Sequence, residues 1–281
     1  LPSDAFSGFK AGHIKKLPKD FFAEFEPKAF QKLAPEALEG LNVDQFEALP
    51  GEVIGELSAD QMENLKPSMF IGIQPATFES LPKSAFGGFQ SEQLQSVPND
   101  LLAGMNKNAF AAINPEAFEG FTPEKFEALP SNLVKNITGD QFSELAPKTL
   151  GSVDIDVFGS IIENDEQLQS VNSAQMGELR SDHIGALKSS HVRYINPEAI
   201  RGLGAKQIVH LEDDAIEAFD ATQFGSLRPK VLKKLDRDQI EAIQPEALSG
   251  MNEKQVKGLN PSMLQSMSED QINAFSPNVV G

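Results

Sequence analysis

Two of the four histidines, His183 and His191, stand eight residues apart, with Asp182 beside the first. Two imidazoles and a carboxylate are ordinary ligands for a transition metal, so this set is one place where chemistry could reside. The acidic clusters "DID" at 154–156, "ENDE" at 163–166 and "EDD" at 212–214 raise calcium in the same way. None has the EF-hand spacing, with its central Gly and distal Glu. A basic run, Arg228, Lys230, Lys233, Lys234 and Arg237, stands out in an acidic chain and would dock an acidic surface of a partner or of another copy. Asp220, Asp236 and Asp238 flank it and dilute its charge. His191, Arg193, Tyr194 and His210 form a fourth set, combining the only tyrosine with an arginine, the residue types that anchor protein interfaces.

All of these sets sit on a repeat. With an apolar position a and a second apolar position d three residues later, a recurs every eight residues from Phe6 through Ile14, Phe22 and Phe30 to Phe158, and d from Phe9 to Ile161. Ile162 and Glu163 interrupt the count, and the register resumes at Leu168 and Val171. His183 and His191 both fall just before a, so their spacing belongs to the repeat and compels no third ligand. The expectation is no metal, no cofactor and no catalytic residue.

The octad cannot be one long helix, because at about 100° per residue the apolar pair rotates by about 80° with each copy and no stripe forms. The local pattern predicts a short helix per octad: Asn, Ser, Thr or Asp as N-cap, Pro at the first helical position and Glu or Asp next, as in Asn114-Pro115-Glu116 and Thr122-Pro123-Glu124. Helices this short are unstable alone, since nucleation is barely repaid before they end. Stacking the a and d faces of successive copies supplies the missing core.

A sixteen-residue alternation lies inside the octad. Gly precedes d at 8, 40, 72, 88, 104, 120, 202 and 250, with Gly258 the exception to the alternation, and Pro follows d at 2, 18, 50, 82, 98 and 130. Two kinds of turn therefore alternate, one permitted by Gly and one stopped by Pro. The predicted fold is all-α: an elongated α-solenoid or superhelix of very short helices, paired into sixteen-residue units. On this spacing Tyr194 and His210 should be neighbours on one exposed column. Position a is Phe in most octads of 1–161 and aliphatic in nearly all of 162–281, which marks a Phe-rich block and an Ile/Leu-rich block of one solenoid with a kink at 162–163.

Composition narrows the function classes. A net charge of −17 opposes nucleic acid and anionic lipid as partners, because binding phosphates needs a positive face. No window approaches the roughly 18 apolar residues of a membrane span, so no membrane insertion is expected. Cysteine is absent, which removes disulfides and thiolate zinc sites. Leu1-Pro2 and Val280-Gly281 fall inside the repeat, so the chain reads as a piece of something longer. Asn136-Ile137-Thr138 would accept a glycan in a eukaryotic secreted protein.

The phrases "DQFEAL", "DQMENL", "EQLQSV", "DQFSEL", "AQMGEL", "KQIVHL", "DQIEAI" and "DQINAF" resemble the T-x-x-Q-[IV]-x-x-L octads of large bacterial surface or secreted repeat proteins. The "NPEAF" versions are also similar to octads of the mesothelin, stereocilin and otoancorin family. The resemblance covers the whole chain and implies a superhelical ectodomain acting in adhesion. The expected function is a non-enzymatic, extracellular or cell-surface repeat protein: spacer, protein-binding module or filament building block. Its expected partners are proteins, either a second copy end to end or another surface protein, with glycan as a further class. An intracellular, cytoplasmic protein-binding scaffold is the alternative.

Overall fold

The computed structural model describes residues 3–276. The terminal Leu1-Pro2 and Val280-Gly281 lie outside the described residues. Every regular element among the described residues is helical, and most are four to six residues long. No helix among them is long and apolar enough to cross a membrane. The fold is an all-α solenoid of short helices, as the octad predicts. By the packing of its backbone the chain separates into two units, Leu1–Ile137 and Thr138–Gly281.

Within each unit the octad builds one brief helical segment. In the copy centred on Phe46, the Phe46 N–H donates to Asn42 O at 3.0 Å, and the Leu49 N–H donates to Phe46 O at 3.0 Å. Asn42 caps the start and the chain then turns. Position a is almost wholly buried and d lies beside it: Phe46, Met62, Phe118 and Phe126 in the first unit, Ile184, Ile216 and Leu248 in the second. The strongest helix pairings join elements three octads apart, such as Ala59–Glu63 with Lys83–Gly88 and Ser173–Glu178 with Pro197–Gly202. Side chains reach further, to carbonyls 28 and 31 residues back. One turn of the stack therefore holds between three and four octads, and each helix rests over two of the layer below.

Glycine before d has a different cause from the one the sequence suggests. No described glycine has positive φ. At Gly40 a Cβ would lie 2.1 Å from the carbonyl oxygen of Ala11, and at Gly202 it would lie 1.9 Å from that of Ser173. The residue is small because two backbones touch between layers, not because the turn is left-handed. Gly8 has nothing near its missing Cβ, so the column is not uniformly constrained.

The two additional residues lie inside the second unit. There Ile155–Ile162 runs as one eight-residue helix, the longest among the described residues, and carries the chain past the point where an ordinary octad turns.

Candidate functional site: a polar ladder and its interruption

A four- to six-residue helix cannot satisfy its own last carbonyls, since the final four have no partner further along. The residue just before a solves this. Gln45, buried, accepts the Asn42 N–H on Oε1 at 3.0 Å and donates from Nε2 to Ile14 O at 3.2 Å and Leu17 O at 2.7 Å. Ile14 and Leu17 are the a and d residues four octads below. Both amide hydrogens and the amide oxygen are thus engaged, so the group is buried at no polar cost. Gln61 and Gln93 repeat the arrangement in the first unit. Gln175, Gln207, Gln223, Gln239, Gln255 and Gln271 repeat it in the second. Along each unit the ties recur mostly at sixteen-residue intervals, while the intervening octads place Ala, Val, Leu or Met at the same position. The sixteen-residue alternation is therefore chemical as well as conformational.

Other side chains substitute for Gln. Lys125 Nζ donates to Val97 O, the d carbonyl four octads below, and to Asn99 Oδ1 at 3.3 Å; burial lowers its pKa. Thr77 is too short to reach down, and Glu47 from the layer below reaches up to it instead, taking the Thr77 hydroxyl at 2.5 Å and the Gln74 N–H at 2.9 Å.

His183 is the third substitute. It is fully buried, its Nδ1 accepts the Arg180 N–H at 3.4 Å, and its Nε2 faces Val153 O at 2.9 Å. Those partners require the neutral ring with its proton on Nε2. Burial lowers its pKa, ahead of the opposing pull of the Val153 carbonyl. The ring also stacks on Phe158, with centroids 4.4 Å apart. Asp182 belongs to Arg180, whose guanidinium holds its carboxyl down at about 2. The candidate metal pair is thus separated by role, and no group of three metal-ligating side chains occurs among the described residues.

His191 occupies the same ladder position, and its Nδ1 accepts the Lys188 N–H at 3.0 Å. Its tie would go to the octad of Phe158 and Ile161, which is the octad the insertion extends. There the Ile161 carbonyl already accepts the Glu163 N–H and, at 3.0 Å, the Asn164 N–H. His191 Nε2 makes no hydrogen bond to the described residues, and the ring lines an open cleft of about 370 Å³ with Ile162, Glu163, Asp165, Ser190, Arg193 and Tyr194. The insertion and three of the four residues of the expected binding patch thus meet in one place. His210 is exposed and does not line this cleft; sixteen residues is only about half a turn of the stack.

The remaining sets find plainer roles. Within "ENDE", Asn164 caps Asp165–Ser170 and Glu166 accepts the Gly139 N–H at 2.8 Å. Asp213 of "EDD" has its pKa raised, by desolvation and then by Asp238 and Asp236. In the basic run, Arg228 ties layers by donating from Nη2 to Leu203 O at 2.7 Å, and Arg237 pairs with Glu241 at 2.7 Å. Lys230, Lys233 and Lys234 are exposed. A second cleft, of about 530 Å³ in the first unit, has Phe78, Leu101 and Met105 in its wall and Glu79 and Asp100 beside them. It is also lined by Ala109, a ladder position without a tying side chain.

The ladder is the feature that sequence reasoning missed. Its signal was present in the Gln of every "DQ", "EQ", "AQ" and "KQ" phrase, which recurs before a and is too regular for a solvated face. No family model matches the chain, and no curated protein matches it.

Proposed function

We propose that this chain is a non-enzymatic structural and adhesive repeat protein, displayed extracellularly or at a cell surface, that supplies a cohesive stack and presents protein-binding surface along it. The observation that supports this reading most is the ladder. The buried glutamines brace one layer to another, which suits a protein that must hold its form under load. Where the ladder is interrupted at the insertion, the ring of His191, which stands in the tying position, is turned instead to a surface cleft beside Arg193 and Tyr194. On this reading recognition belongs to the cleft and cohesion to the ladder.

The test separates the two roles within one chain. Stability and adhesion to an immobilised second copy are measured for His191→Ala/Tyr194→Ala and for Gln223→Ala. The reading expects the first variant to lose adhesion at unchanged stability and the second to lose stability. Equal destabilisation by both variants, or retained adhesion in the first, overturns it. Filament formation is tested by sedimentation of a variant with polar caps on both end octads, and polymers that persist after capping exclude end-to-end assembly.

A further inference from the structure

In a chain of net charge −17, one cleft of the second unit has only cationic charged groups in its wall. It measures about 310 Å³ and is lined by Arg201, Arg228 and Lys254 together with Ser226, Asn252 and Leu227. Arg228 is anchored through Nη2, which donates to the carbonyls of Gly202 at 3.3 Å and Leu203 at 2.7 Å, while its Nε has no hydrogen-bond partner. Lys254 is exposed and makes no ion pair among the described residues. Arg201 has one exposed carboxylate, Glu198, at 3.7 Å. The nearest other acid in sequence, Glu253, is paired with Lys257. Three cations with little counter-charge around one concavity repel one another unless an anion joins them.

The cations belong to three stacked layers. Arg228 bonds the carbonyls beside Arg201, and Gln255, next to Lys254, bonds Gly225 O at 3.0 Å and Leu227 O at 2.6 Å, beside Arg228. Packed helical layers lie about 8–10 Å apart. The three cationic side chains enter the cleft from successive layers, and a ligand extended along the stack follows them better than a small anion does. A polyproline II segment places every third side chain on one face at about 9 Å, close to the layer spacing. We propose that this cleft binds an acidic peptide segment, in polyproline II form, with a carboxylate at every third residue. The proposal rests on the reading of the chain as a protein-binding stack and names the chemistry of one partner.

The peptide Glu-Pro-Pro-Glu-Pro-Pro-Glu is titrated into the intact chain by calorimetry at low salt. Its isomer with the three glutamates adjacent, and inorganic phosphate, are titrated alongside. Saturable one-to-one binding of the spaced peptide is expected, weakened by added salt and about fivefold tighter than the clustered isomer. Lys254→Gln and Arg201→Gln, both exposed and outside the ladder, are each expected to weaken it about threefold to fivefold. Arg228→Gln is expected to weaken it about tenfold, with its folding checked by circular dichroism. Binding of phosphate as tight as that of the spaced peptide reduces the cleft to a generic anion site and overturns the proposal. No saturable binding, or binding unchanged in Lys254→Gln and Arg201→Gln, also overturns it. Neither result touches adhesion through the His191 cleft, which is measured separately.

Discussion

The two units speak the same octad grammar but join their layers by different means. In Leu1–Ile137 the a and d positions are crowded with Phe, whose rings meet in edge and tilted contacts: Phe118 lies 5.8 Å from Phe110 and 5.0 Å from Phe121. The ladder there is discontinuous, running through Gln45, Gln61 and Gln93 but replaced by Thr77 with Glu47, by Ala109 and by Lys125. In Thr138–Gly281 position a is mostly Ile, Leu or Val, and the ladder runs unbroken from Gln207 to Gln271. Large rings fill space without direction, whereas an amide fixes the register of one layer on the next. A solenoid can be held by either, and the second unit depends more on the directional bond.

The sharpest way to break this comparison is to exchange the weak points. Phe118→Ala removes a fully buried ring from the first unit and is expected to cost about 4 kcal/mol. Hydrogen exchange should rise in peptides of 1–137. Gln223→Ala leaves the carbonyls of Val192 and Ile195 and the Asp220 N–H without their partner, and is expected to cost about 3 kcal/mol. Here exchange should rise in 138–281. Loss in the same unit for both variants would show that the units do not differ in the way described.

Gly202→Ala tests the close backbone approach. A Cβ 1.9 Å from Ser173 O forces the layers apart, for an expected cost of about 2 kcal/mol in urea unfolding. The same change at Gly8, where nothing approaches, should be close to neutral. Equal costs at the two sites would return the column to a turn preference.

The buried imidazole gives a smaller effect with a defined sign. Because burial lowers the pKa of His183 in the folded chain, the unfolded chain binds the proton first as pH falls through its ordinary value of about 6.5. Stability is therefore complete above that value and declines below it as the pH falls toward the lower folded pKa. His183→Gln keeps a tie in the position and should remove this part of the pH dependence, read as unfolding midpoints at pH 7 and pH 5.5. His191→Gln is expected to change stability least, within about 0.5 kcal/mol, because its ring ties no layer. A large loss there would mean that the interruption is itself structural.

Much of the fold was legible in the chain because the octad is a local code. Caps such as Asn42, first-turn prolines such as Pro115 and the a and d spacing each act over fewer than eight residues, so short helices, their boundaries and the solenoid class followed from one-dimensional pattern. Of the candidate patch, Arg193 and Tyr194 stood out in the sequence, but the cleft they line with the inserted residues did not. Tyr194 and His210 show why, since sixteen residues looks like one repeat in sequence and is half a turn in space.

What only the tertiary structure decided is the number of octads per turn, which sets the layer partners 24 to 33 residues away. That number comes from how Phe or Ile side chains, glycine contacts and glutamine ties pack together, and no single octad contains it. It made Gln45 a buried brace. It made His183 a neutral tie in place of a ligand, and it set His191 against an insertion that had taken the carbonyl it would have bound. The sequence by itself determined the brick; the packing of layers determined which polar groups were used up in holding bricks together and which were left facing solvent.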